Sequence, residues 1–138
     1  MKRFIPFFIL LIFIGQLIFL ADSNQQNWIM SIADKVKFGD KIGHFILYGG
    51  LAYFLNNALK FKVFQWKNMR VFRGSIIILI FTIVEEFSQL TFASRTFDLI
   101  DIVFSLLGIY LISNAIFRSF VKRIITRIFK ISGIFRVL

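Results

Sequence analysis

Residues 81–90 read FTIVEEFSQL, with Glu85 and Glu86 side by side inside an apolar run over 74–92. That run is long enough to cross a bilayer as a helix. Each ionisable group near a bilayer centre costs at least a few kcal/mol, so two together need compensating partners. The usual arrangement is a polar pocket inside a helix bundle, lined by groups on neighbouring helices. The fold then depends on which other segments can surround this stretch, and which carry polar groups to match it.

The chain has 138 residues, 58% of them hydrophobic, and a mean hydropathy of +0.79. That is too apolar for an ordinary soluble domain of this length. Four stretches, 4–21, 40–59, 74–92 and 99–117, approach or reach the ~20 residues of a membrane-spanning helix. The expected fold is all-α: a four-transmembrane-helix bundle over 1–117, followed by a basic amphipathic helix over 118–138. No cysteine is present, which excludes disulfides and thiolate metal sites. The net charge of +10 reads as cytoplasmic loops facing anionic lipid headgroups and not as a nucleic-acid surface.

The first span follows Lys2 and Arg3, a pattern shared with secretory signal peptides. Leu20-Ala21-Asp22 makes a poor cleavage site, which favours a retained helix. Pro6 falls in its first turn, where a missing N–H does little harm. In the connection 22–39, Trp28, Ile29, Ile32 and Val36 fall near one helical face, consistent with a short helix on the membrane surface or with an ordinary loop. Residues 60–73 carry basic groups, no acids, and Trp66 as a candidate interface anchor. In the tail, Phe117, Phe120, Ile124, Ile128 and Ile131 make one helical stripe beside Arg118, Lys122, Arg123, Arg127 and Lys130. Thirteen of the seventeen basic residues fall in the N-terminus, 60–73 and the tail. The positive-inside rule therefore places both termini in the cytoplasm of a multi-pass protein of the cell membrane. All seven acids lie in the opposite connections or in the middle and outer parts of spans two to four. We read that segregation as a polar site opening outward.

Three short stretches supply the site. Asp40, His44 and Tyr48 are four apart and line one face of the second span, with Lys41 beside them. Glu85 and Glu86 each reach Gln89 at helical spacing. Asp98, Asp101, Ser105 and Gly108 form a third stripe, preceded by Arg95. At 1.5 Å per residue Glu85 lies roughly 16 Å from Gly74, so the stripes can converge in the outer half of the bilayer.

The pattern Asp40-Lys41-x-x-His44-x-x-x-Tyr48, then Glu85-Glu86-x-x-Gln89, then Arg95-x-x-Asp98-x-x-Asp101 with Gly108 resembles the VanZ-like family of bacterial membrane proteins. The resemblance covers about 40–110, in the family's order and with similar gaps. Ser105 stands where the family usually has Asn, which keeps a hydroxyl but removes an amide. The resemblance implies a polytopic membrane protein of the cell envelope. The family is named for a member linked to resistance against the glycopeptide teicoplanin, and no agreed reaction comes with it.

Read as chemistry, His44 is either an acid or base near neutral pH or a hydrogen-bonded structural residue. Adjacent helical residues point about 100° apart. One of Glu85 and Glu86 is therefore expected to face the pocket, the other to pair with Lys41 or Arg95 or to be protonated. Arg95 suits bidentate binding of a phosphate or carboxylate, or else a salt bridge to Asp98 or Asp101. Asp40, His44, Glu85, Glu86, Asp98 and Asp101 could hold a divalent metal, although no tight HExxH-like signature accompanies them. In an enzyme acting on a lipid headgroup or lipid-linked envelope precursor, Lys41 and Arg95 would hold an anion. His44 with Glu85, Glu86 or Asp101 would then move protons, and Asp40, Tyr48, Gln89, Asp98 and Ser105 would complete the ligand contacts. Neither Ser88 nor Ser105 has an activating motif. A non-catalytic binder of an envelope ligand or glycopeptide, and a small transporter, are the alternatives.

Overall fold

A computed structural model describes residues 2–23, 28–67, 69–93 and 95–113. The expected tail helix and the last residues of the fourth span, 114–117, lie outside these. The described chain is mainly helical. Helix α1 spans Ile5–Asp22, α2 Trp28–Lys35, α3 Gly39–Ala58, α4 Arg73–Ser88 and α5 Leu99–Ser113. One 3₁₀ turn, Lys2–Phe4, precedes α1 and another, Gln89–Thr91, extends α4.

Helix α3 is the hub, packing against α1, α2, α4 and α5. The core is formed by Ile14, Tyr48, Leu51, Ala52, Leu55, Ile78 and Ile109. Where α3 crosses α5 the backbones touch. A Cβ at Gly108 would collide with the carbonyl of Phe45, and one at Gly49 would lie 2.7 Å from the carbonyl oxygen of Gly108. Small residues at such a crossing let two helices approach closely enough for their polar side chains to meet.

One departure from the sequence reading is the segment 60–73, expected as a basic loop. It contains an antiparallel hairpin of β1, Val63–Trp66, and β2, Met69–Phe72, in the register Val63↔Phe72 and Gln65↔Arg70. β-Branched and aromatic residues at these positions suit a pleated surface. Lys67, in the turn, has φ 50°, the left-handed conformation that tight two-residue hairpin turns demand. Phe61 makes edge contacts with Tyr53 and Phe72, with ring centroids 6.1 and 5.5 Å away, and so pins the hairpin to the end of α3.

Helix α4 has no side-chain cap from its own flank. Asn56, fully buried on α3, supplies one instead. Its Oδ1 accepts the Ser75 N–H at 3.1 Å and its Nδ2 donates to Ser75 Oγ at 2.8 Å. This satisfies one of the orphan donors every helix start carries. Gly74 is required beside it, because a Cβ there would strike the Asn56 amide.

Two helical segments, Lys2–Asp22 and Arg73–Thr91, are long and apolar enough to cross a membrane. Leu99–Ile112 is a shorter apolar helix. Large apolar side chains lie exposed along all of them, among them Ile9, Ile12 and Phe19 on α1, Ile80, Val84 and Phe87 on α4, and Leu99, Val103 and Tyr110 on α5.

Candidate functional site

The three stretches singled out in the sequence lie against one another at one end of α3, α4 and α5. Their side chains form two connected clusters, an exposed rim and a buried interior.

At the rim, Lys41 Nζ donates to Asp98 Oδ2 at 2.9 Å, to Asp101 Oδ1 at 3.0 Å and to Asp40 Oδ2 at 3.3 Å. The first turn of α3 thus supplies the ammonium that gathers the acids at the start of α5. One helical turn deeper, His44 Nδ1 lies 3.2 Å from Ser105 Oγ. His44 Nε2 lies 4.0 Å from both Asp40 Oδ1 and Asp101 Oδ2. Exposure falls steeply across this group, from 59% for the Asp40 side chain through 14% for His44 to 7% for Asp101. Lys41 and the Ile100 N–H both donate to the Asp98 carboxylate and hold its pKa below the usual carboxylate range.

The interior is organised around Glu85 and Glu86, both buried. Tyr48 OH donates to Glu85 Oε2 at 2.9 Å. Gln89 Nε2 donates to Glu85 Oε1 and to Glu86 Oε2, each at 3.1 Å, so one amide serves both carboxylates. The remaining oxygen of Glu86 accepts the Asp98 N–H at 2.9 Å. Arg95 Nη2 reaches Glu85 Oε1 at 3.2 Å, and its Nη1 lies 3.7 Å from Asp22 Oδ1 at the end of α1. Thr82, buried beneath, bonds back to the Ile78 carbonyl.

Asp98 joins the clusters, its carboxylate belonging to the rim and its N–H to the interior. The stacked rings of His44 and Tyr48, 5.5 Å between centroids, join them along α3. Among the described residues no buried side-chain nitrogen or oxygen lacks a hydrogen-bond partner.

Several details differ from the sequence reading. Arg95 pairs with Glu85, one of the pairings expected, and with Asp22, but not with Asp98 or Asp101, which Lys41 takes instead. Lys41 and Arg95, expected to hold an anionic ligand, are therefore both committed to carboxylates. Tyr48, expected to contact ligand, points into the interior. Ser88 Oγ donates to the Glu85 carbonyl at 2.6 Å, which ties it to the backbone. Two contributors were missed. Asp22 was visible only as one of the segregated acids. Asn56, at the opposite end of α3, carried no signal beyond being polar near a span terminus.

Comparison of the chain with protein-family models, curated proteins and solved structures gives no match.

Proposed function

We propose that the chain is a polytopic protein of the cytoplasmic membrane, of the VanZ-like kind. Its rim receives the polar headgroup of a lipid or of a lipid-linked envelope component. One observation carries this reading: among the described residues, large apolar side chains lie exposed while carboxylates lie buried. Ile9, Phe19, Ile80, Val84 and Leu99 are exposed, while Glu85, Glu86, Gln89, Asp101 and Ser105 are buried. In water each exposed side chain of this size forgoes about 1.5–3 kcal/mol of burial, whereas in lipid it forgoes nothing. Buried carboxylates, conversely, are tolerated in a bundle when partnered throughout.

Within that frame the rim and the interior have different tasks. The interior network is a positioning device that fixes α4 and the start of α5 against α3. The rim alone joins exposure to chemistry. His44 is the one group there suited to taking or giving a proton near neutral pH. Its surroundings are rich in carboxylate and its cations are paired, which favours headgroups bearing amines or hydroxyls over a bare phosphate. The basic residues of 60–73 would face the cytoplasm and the rim the outside. A link to glycopeptide tolerance is part of the same proposal and follows only from the resemblance.

The test is to present purified protein in nanodiscs with phospholipids and lipid-linked envelope precursors, and to compare His44→Ala and Glu86→Gln with the parent. Saturable binding weakened at least tenfold by His44→Ala, with little change in melting temperature, is expected. Product formation would make the protein an enzyme, and binding without turnover a carrier or sequestering protein. The complete hydrogen bonding of the buried groups favours a second reading, a purely interhelical lock. No saturable binding by the parent, with lowered thermal stability in both variants, would establish that reading and remove the headgroup.

A further inference from the structure

We propose that Asp40, His44 and Asp101 form a binding site for a divalent transition-metal ion. The protein ligands would be the imidazole Nε2 and one oxygen of each carboxylate. One ligand atom from each of the three residues lies within 4.8 Å of the others, and Nε2 is 4.0 Å from each carboxylate. With two separations of 4.0 Å and the third no more than 4.8 Å, the equidistant point lies at most about 2.5 Å from each atom, against the ~2.0–2.2 Å of zinc–nitrogen and zinc–oxygen bonds. A closure of a few tenths of an ångström completes the site.

Two further features orient these ligands. Ser105, fully buried, holds Nδ1 at 3.2 Å and leaves Nε2 turned toward the acids. Outer partners of this sort commonly fix the ring of a metal-ligating histidine. Lys41 holds Asp40 by Oδ2 and Asp101 by Oδ1, so the other oxygen of each carboxylate is the one that faces His44. Charge points the same way. Three carboxylates surround one ammonium, and a divalent cation offsets the two negative charges left over. One nitrogen and two oxygen donors suit Zn²⁺ or Mn²⁺ better than ions that demand thiolates or oxygen alone. Asp40 is mostly exposed, giving an ion a path in and leaving coordination positions open. Those positions could take a hydroxyl oxygen of a headgroup. That extension rests on the function proposed above, whereas ion binding does not.

The full chain in detergent, stripped with a chelator, would be titrated with Mn²⁺ alone and followed by the loss of the free-ion paramagnetic resonance signal. Zn²⁺ would be added in competition. One site per chain is expected, with affinity falling at least tenfold in Asp40→Asn and in His44→Gln, and several-fold in Ser105→Ala. Asn56→Ala, at the opposite end of α3, should bind as the parent does. Asp40 sits at the exposed rim, so Asp40→Asn keeps the test open if an interior variant fails to fold. Absence of saturable binding in the parent, or equal binding in Asp40→Asn and His44→Gln, overturns the proposal. Lipid binding measured in excess chelator is a separate reading: its loss alone would count against the headgroup and leave the ion site standing.

Discussion

Tyr48 shows how much one hydroxyl does here. It is buried, stacked on His44 and bonded to Glu85. Tyr48→Phe keeps the ring and removes the donor, leaving a buried carboxylate oxygen short of one partner. A loss of about 1–3 kcal/mol is expected for such an uncompensated group, measured as a lowered thermal midpoint in detergent. Asp98 predicts a pH dependence. Its pKa is depressed in the folded state by the Lys41 ammonium, so the unfolded chain binds the proton more readily. The stabilisation is thus fully present above the ordinary aspartate value, about pH 4, and is lost as pH falls through the lowered folded value. Melting curves between pH 7 and pH 3 should show the parent losing its advantage over Asp98→Asn at the acidic end. At this scale much was legible in the sequence. Four-residue spacing put Asp40, His44 and Tyr48 on one face, and adjacency set Glu85 and Glu86 at different azimuths. Glu85 was one of the partners expected for Arg95, whereas Asp22 was not legible, because it lies far away in sequence and only the docking of α1 brings the two together.

Among the elements, the α3–α5 crossing is the most sensitive point. Gly108→Ala must push the helices apart at Phe45, with an expected cost of about 1–3 kcal/mol and a displacement of Ser105 from His44. A melting curve together with the metal titration reads both effects. Asn56→Ala removes the borrowed cap of α4 and should cost about 1–2 kcal/mol without altering the rim, again by thermal unfolding. In the hairpin, Lys67 adopts a backbone conformation that costs an L-residue roughly 1–2 kcal/mol. Lys67→Gly should therefore raise the melting temperature. Helices were the legible elements because runs of apolar residues announce their length and Lys2, Pro6 and Gly39 mark the edges. The hairpin hid for the converse reason. Its strands are only four residues long, and its turn carries none of the glycine that usually signals one.

For the whole molecule, the expectation of a bilayer rests on where apolar surface lies, and orientation supplies the test. The chain has no cysteine, so a single one can be placed at will. Lys37→Cys should react with an impermeant maleimide in intact cells, and Lys62→Cys only after the membrane is opened. The reverse pattern would turn the proposed topology over. Composition disclosed the apolar exterior, while the pairing of Lys41 with Asp98 and Asp101, of His44 with Ser105 and of Tyr48 with Glu85 required the packed helices, since these partners come from different segments. One consequence follows from the double role of Asp98, whose carboxylate meets Lys41 while its N–H meets Glu86. Occupancy at the mouth and order in the interior draw on the same residue, and coupling between them is the expected outcome. A probe placed beside Glu86 should then register an event at Lys41 that it never touches.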